Sequence, residues 1–214
     1  MALTVAWIFT VLKSDADIRG RLIYVVGPSG AGKNSVIAAA QKFVNKNNNL
    51  YFSLRYVTRP TLDADGGNDG DLPITATAFA QYRLSGLFAL DWQAHGFSYG
   101  IGAEINTALH AGKTVVINGS RAYTKTALAK YPTMIVIQIQ VPLDVAQARL
   151  TARAREDTAA IDARVQRAPP FTVPEGQLIT IDNSGPLEAA AQALTEVLLG
   201  SNSVPLVRSD TALV

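Results

Sequence analysis

The stretch Arg21 to Ser35, RLIYVVGPSGAGKNS, constrains this chain more than any other. Leu22 to Val26 is a short, wholly apolar run that reads as a buried strand. It stops at Gly27, and the residues that follow fit the pattern G-x-x-x-x-G-K: Gly27, Pro28, Ser29, Gly30, Ala31, Gly32 and Lys33. A helix-forming segment, Asn34 to Lys46, comes next. Strand, glycine loop and helix in that order make a phosphate-binding loop. Gly30 and Gly32 open backbone angles closed to other residues, so successive N–H groups can turn toward one anion. The helix start adds its positive dipole end. Lys33 brings a full charge for the outer phosphates of a nucleoside triphosphate such as ATP. Gly27 to Ser35 is therefore the expected ATP-binding segment.

One position departs from the usual loop. The Ser or Thr that normally follows the lysine and ligates magnesium is Asn34. An amide oxygen can hold a hard cation directly or through water. Asn34 is thus the expected residue at Mg²⁺, and Ser35 stands one place too late for the standard role.

The rest of the chain alternates strand and helix signals. Leu50 to Val57 suits a strand, ended at Thr58-Arg59-Pro60 because proline cannot continue a ladder. A polar, glycine- and aspartate-rich loop, Thr61 to Asp71, is long and turn-prone and reads either as disordered or as a substrate lobe that orders on binding. Thr75 to Leu84 is an expected helix with Thr75 as its N-cap. A segment dense in aromatics follows, with Phe88, Trp92, Phe97 and Tyr99. Glu104 to His110 reads as a helix and Thr114 to Ile117 as a second buried strand, with Asn118-Gly119-Ser120-Arg121 at its carboxyl end. Ligands of open α/β sheets bind at such ends. Tyr123 to Lys130 is helical, Thr133 to Val141 is a third strand, and Leu143 to Arg153 is a helix. A last strand, Leu178 to Ile181, precedes a helix over Pro186 to Leu199. The expected class is α/β, a parallel sheet covered by helices on both faces.

Composition narrows the function. A net charge of +2 gives no electrostatic case for nucleic acid. The absence of cysteine rules out disulfides and thiolate metal sites, and fits a reducing, cytoplasmic setting. The apolar run Ala2 to Leu12 is too short to span a bilayer and has no positive segment before it, so no membrane association is expected. His95 and His110 are isolated and read as non-ligands. Trp92 and Phe97 read as core. Asn183 either touches the nucleotide base or turns the chain.

GPSGAGK, followed by a strand ending in Thr58-Arg59-Pro60, resembles the guanylate kinase superfamily over Arg21 to Leu199. That resemblance implies a P-loop kinase domain over 21–199, with an N-terminal extension (1–20) and a C-terminal tail (200–214). It also implies a substrate lobe at about 59–102 and an arginine-rich lid at about 153–164. Within the superfamily, RYVTRP, LFALDWQAHGFSYGIG and INGSRA look like the ribose 1,5-bisphosphate phosphokinases. A serine that helps guanylate kinases read guanine is replaced by Arg55. The lobe stretch Gly67 to Leu72 lacks the tyrosine that clasps phosphate in those enzymes.

The resemblance implies transfer from ATP to ribose 1,5-bisphosphate, giving 5-phosphoribosyl 1-diphosphate and ADP in phosphonate breakdown, with Mg²⁺. Lys33, Arg59, Arg149 and Arg153 are the implied catalytic residues. Arg55, Arg59, Asp91, Tyr99, Asn118, Ser120 and Arg121 are the implied acceptor-site residues. Arg149 and Arg153, four apart on one helix face, point toward the lid, whereas Arg164 and Arg167 read as solvated. Partners reduce to the sugar phosphate and ATP, with a homodimer as the open assembly. Guanylate kinase activity is the alternative. A binding module without catalysis is disfavoured because lysine and glycines are intact.

Overall fold

Arg21–Val26 becomes strand β1, and its alternating side chains are buried on both sides. Leu22, Tyr24 and Val26 enter one apolar cluster, and Ile23 and Val25 enter another. A strand buried on both faces belongs at the centre of a parallel sheet. The computed structural model, which describes residues 18–44, 46–59, 70–152 and 171–200, places it there. The five-stranded sheet runs β2-β7-β1-β8-β9, with β2 Leu50–Phe52, β7 Thr114–Asn118, β8 Ile135–Gln140 and β9 Leu178–Asp182. All its pairings are parallel.

Helices cover both faces. Val36 and Ala40 of α1 (Lys33–Phe43) and Ala190, Leu194 and Leu198 of the C-terminal helix pack on Ile23, Val25, Ile137 and Ile139. Ile105 and Leu109 of α3 (Glu104–His110) and Ala127 of α4 (Thr124–Lys130) pack on Tyr24, Ile117 and Val136. Each fully buried aliphatic side chain contributes about 1.5–3 kcal/mol. α5 is Leu143–Ala152, and the C-terminal helix, α6, is Leu187–Leu199, preceded by Pro186.

A second sheet, of four strands, stands beside the first in the order β4-β3-β6-β5. Its strands are β3 Arg55–Val57, β4 Asp71–Pro73, β5 Phe88–Ala94 and β6 Phe97–Gly102. Here the single strand expected over Leu50 to Val57 is corrected. Leu50, Tyr51 and Phe52 register with Thr114, Val115 and Val116, whereas Arg55, Tyr56 and Val57 register with β4 and β6. Ser53 N–H makes the last rung to Val116 O at 3.0 Å, and the chain then crosses to the other sheet. The aromatic segment is an antiparallel hairpin. His95 and Gly96, both at positive φ (52° and 77°), make its two-residue turn.

Helix α2, Ala76–Leu84, begins where expected: Thr75 Oγ1 accepts from Ala78 N–H at 3.1 Å. Its Phe79 and Tyr82 pack with Tyr56 and Phe88 on one face of this sheet. Helix α1 ends at Phe43, short of Lys46, where Asn47 N–H turns back to Val44 O. Most of the expected extension (residues 1–17), most of the polar loop (60–69) and the tail (201–214) lie outside the described residues.

Candidate active site

The glycine loop leaves β1 and enters α1 at the carboxyl end of the sheet. Gly30 and Gly32 take φ of 79° and 80°, angles that disfavour any side chain. Space is closed as well: a Cβ on Gly30 would lie 2.6 Å from Ala146 O, and one on Gly32 would lie 2.6 Å from Asn183 Nδ2. Lys33 Nζ donates to Gly27 O (2.8 Å) and Pro28 O (3.0 Å), so the ammonium lies over the loop it is expected to serve.

Asn34 and Asn118 meet. Asn118 Nδ2 donates to Asn34 Oδ1 across the space between α1 and the end of β7. The amide oxygen expected at the metal is therefore engaged. The free amide oxygen of the pair is Asn118 Oδ1, buried and without a hydrogen-bond partner among the described residues. No cluster of three or more His, Cys, Asp or Glu suited to a metal exists among those residues. Amide oxygens fit magnesium, which takes few protein ligands and completes its shell with water and phosphate oxygens.

Tyr24 fixes the Asn118–Arg121 turn. Its hydroxyl accepts from Ser120 N–H (2.9 Å) and donates to Ser120 O (3.0 Å). Its ring lies against Gly119, where a Cβ would come within 2.2 Å of the ring. Burial pushes the Tyr24 phenol well above its ordinary value. Ser120 thus contributes its backbone to the turn. Arg121 starts a 3-10 turn, Arg121–Tyr123, and is half-buried. Burial alone holds its guanidinium below the usual arginine value, and no carboxylate pairs with it among the described residues.

Arg55 departs from expectation. Its Nε and Nη2 fork onto Asp71 Oδ1 and Oδ2 at 2.8 and 3.0 Å, with side chains only 12% and 8% exposed. Its guanidinium also lies 5.1 Å from the centre of the Tyr99 ring. Arg59, 38% exposed, reaches the same carboxylate at 3.4 Å. Asp71 therefore ties both arginines together, and Arg59 is the more accessible. Tyr99 is buried, with Trp92 stacked on it at 5.6 Å and Tyr123 stacked on Trp92 at 5.5 Å. Tyr99, backed by Trp92, supports Arg55 from within the core. Asp91 stands apart: it registers with Gly100 and Tyr56, on the face opposite Arg55, and pairs with Arg83 at 2.8 Å. The alternation of the strand turns its side chain to the face away from Arg55.

Arg149, on α5, reaches the glycine loop. Its Nη2 donates to Asn183 O at 3.0 Å, and Nη1 lies 3.7 Å from where a Gly32 Cβ would be. Asn183 is 2% exposed, and its Nδ2 donates to Ala31 O at 2.8 Å. It braces the loop and turns the chain. Arg153, the expected lid at 153–164, Arg164 and Arg167 lie outside the described residues.

Asp71 and Tyr24 were hidden in the sequence for different reasons. Asp71 sits in a run that looks like loop until β3 pairs with it. Tyr24 counts as one more apolar residue, and only its hydroxyl in an otherwise aliphatic run hints at a partner.

Comparison with known proteins is informative at this point. No family model matches the chain. The ribose 1,5-bisphosphate phosphokinase PhnN of Desulfomicrobium baculatum is 44% identical over 180 residues, covering 84% of this chain and 94% of that protein. Its counterpart in Burkholderia pseudomallei is 43% identical over 181 residues, covering 84% and 96%. That of Thiobacillus denitrificans is 41% identical over 179 residues, covering 84% and 93%. Among solved structures, guanylate kinase from Anaplasma phagocytophilum superposes with a TM-score of 0.61 at 11% identity, over 87% of this chain and 88% of that one. The second likeness is one of fold.

Proposed function

This chain belongs to the ribose 1,5-bisphosphate phosphokinase family, and from that membership we propose how its residues carry the reaction. It is a phosphotransferase. The terminal phosphoryl group of ATP passes to an oxygen of the phosphate on C1 of ribose 1,5-bisphosphate. The bond to ADP breaks, a new P–O–P bond forms, and the products are ADP and 5-phosphoribosyl 1-diphosphate. The observation that carries this reading is identity of 41–44% to three ribose 1,5-bisphosphate phosphokinases over nearly their whole length.

The acceptor oxygen is already ionised near neutral pH, so no side chain needs to remove a proton. The work is to bring two anions together and to spread charge from the transferring group. Lys33 and the loop Gly27–Gly32 hold the nucleotide phosphates. Arg149, anchored on Asn183 O, lies beside Gly32 of that loop. Arg59 is the accessible arginine of the lobe and meets the acceptor phosphate. Arg55 keeps Asp71 in place, and Asp71 orients Arg59. Magnesium, when bound with ATP, would supply neutralisation of phosphate charge. Asn118 Oδ1, a buried amide oxygen without a partner among the described residues, would face the ion or its water shell, with Asn34 holding the Asn118 amide. The cysteine-free composition supports a cytoplasmic setting.

A side-by-side assay of product formation from ATP with ribose 1,5-bisphosphate or with GMP tests the reading. The sugar bisphosphate is expected to react far faster. A preference for GMP would overturn it and make the chain a divergent guanylate kinase.

A further inference from the structure

The acceptor carries two phosphates, and the pairing of Arg55 with Asp71 leaves the second without an obvious cation in the lobe. A cavity of about 430 Å³ opens beside the glycine loop, lined by Pro28, Arg121, Gln138, Gln140, Pro142 and Asp182 among others. That volume falls within the roughly 300–1,000 Å³ of small-molecule sites.

Its lining follows from the register of β8. Residues two apart on a strand share a face. Val136 packs into the cluster around Tyr24, and the same row continues toward the carboxyl end as Gln138 and Gln140. An apolar row that turns polar where the sheet meets the glycine loop is not needed for packing. Neither glutamine makes a side-chain hydrogen bond among the described residues. Arg121 arrives from the neighbouring turn, half-buried and unpaired with any described carboxylate. The carboxylate of the cavity, Asp182, is already taken by Ser184, at 3.1 Å from its N–H and 2.5 Å from its Oγ. A cation with two neutral amides, and an acid already occupied, suits a phosphorylated polyol: guanidinium for phosphate, amides for hydroxyls.

We propose that this cavity is the subsite for the sugar end of the acceptor, with Arg121 binding the phosphate that does not react and Gln138 and Gln140 binding ribose hydroxyls. The assignment rests on the function proposed above. It makes Arg121 and Gln138 specificity-determining residues.

The test measures KM for ribose 1,5-bisphosphate and for ATP, and the preference for ribose 1,5-bisphosphate over ribose 1-phosphate, which lacks the second phosphate. Wild type, Arg121→Gln, Arg121→Lys and Gln138→Leu are compared, with acceptor binding followed by calorimetry. Arg121→Gln is expected to raise the acceptor KM by about tenfold or more and to collapse the preference, since hydrogen bonds to charged groups are worth that much. The ATP KM should stay put, and Arg121→Lys should recover part of the loss. Gln138→Leu should weaken acceptor binding several-fold while sparing the preference. If Arg121→Gln keeps the preference, or if both KM values rise together, the subsite lies elsewhere although the enzyme's reaction stands. If the wild-type enzyme is inert toward the sugar bisphosphate, the functional reading itself fails.

Discussion

Replacing Tyr24 with phenylalanine isolates one oxygen atom. The ring that packs under Gly119 stays, and only the hydroxyl that clips Ser120 goes. Ser120 O keeps two other donors, Tyr123 N–H at 3.1 Å and Thr124 Oγ1 at 3.2 Å, so losing Tyr24 there costs about 0.5–1 kcal/mol. Ser120 N–H loses the partner that the structure gives it, and an orphaned donor costs about 1–3 kcal/mol. Ser120 is only half-buried, so water recovers part of this, which puts the sum near the low end, about 2 kcal/mol. In a chain of this size that lowers Tm by roughly 4–8 °C. The turn carries Asn118 and Arg121, so the acceptor side should suffer more than the nucleotide side. Small misplacements near the chemistry are expensive, and we expect kcat/KM for the acceptor to fall by about tenfold with the ATP KM within about twofold. Urea denaturation and steady-state kinetics check both halves. Coincident unfolding curves and unchanged acceptor kinetics would refute the claim that Tyr24 holds the turn.

Further outcomes follow from the same geometry. Lys33→Ala should cut turnover by at least about a hundredfold while circular dichroism stays native, because the ammonium donates to Gly27 O and Pro28 O of the loop and is not part of the apolar core; near-normal turnover in the folded variant would contradict its role. Asp71→Asn should destabilise by about 3 kcal/mol, since it weakens the fork that neutralises a mostly buried Arg55, and Arg55→Met in the same chain should return much of that loss; additive losses in a double-mutant cycle would deny the coupling. Asn118→Ala should raise the magnesium concentration needed for ATP binding, measured calorimetrically, more than it weakens metal-free ATP binding; identical magnesium titrations would leave the ion to phosphates and water alone.

The parts of this fold that were legible in the sequence are those fixed by local rules. Strand, glycine loop and helix over Arg21–Phe43 follow from hydrophobic run and glycine placement, and the Thr75 cap follows from its side chain. The break between Phe52 and Arg55 was not legible, because both halves favour strand and only their partners differ, β7 for one and β4 and β6 for the other. Site chemistry was limited in the same way. Position placed Arg55 at the mouth of the lobe, but its direction depends on Asp71, sixteen residues away, and on a Tyr99 ring from another strand. The glutamines of β8 read as ordinary strand residues until the register shows that they extend an apolar row toward the glycine loop.

The charges around the site bear on which acceptor chemistry it can serve. A hydroxyl acceptor needs a carboxylate or imidazole free to take its proton in the transition state. The described carboxylates nearest the candidate site are committed: Asp71 to Arg55 and Arg59, Asp182 to Ser184, and Asp91 to Arg83 on the far face. The end of β7 offers the neutral Asn118, itself bonded to Asn34. Among the described residues, what remains uncommitted is cationic or neutral: Arg121 and the two glutamines of its cavity, one nitrogen of Arg149, and one amide oxygen each of Asn118 and Asn183. The site has spare donors and no spare base among the described residues, an arrangement poorly suited to activating an alcohol. It is well built to hold an acceptor that arrives ionised and to screen it from a second anion. The same balance explains why Asp71 needs two arginines: an unpaired carboxylate beside the acceptor would repel both substrates, whereas a clasped one aligns Arg59 and leaves the cluster of Arg55, Arg59 and Asp71 with a net positive charge.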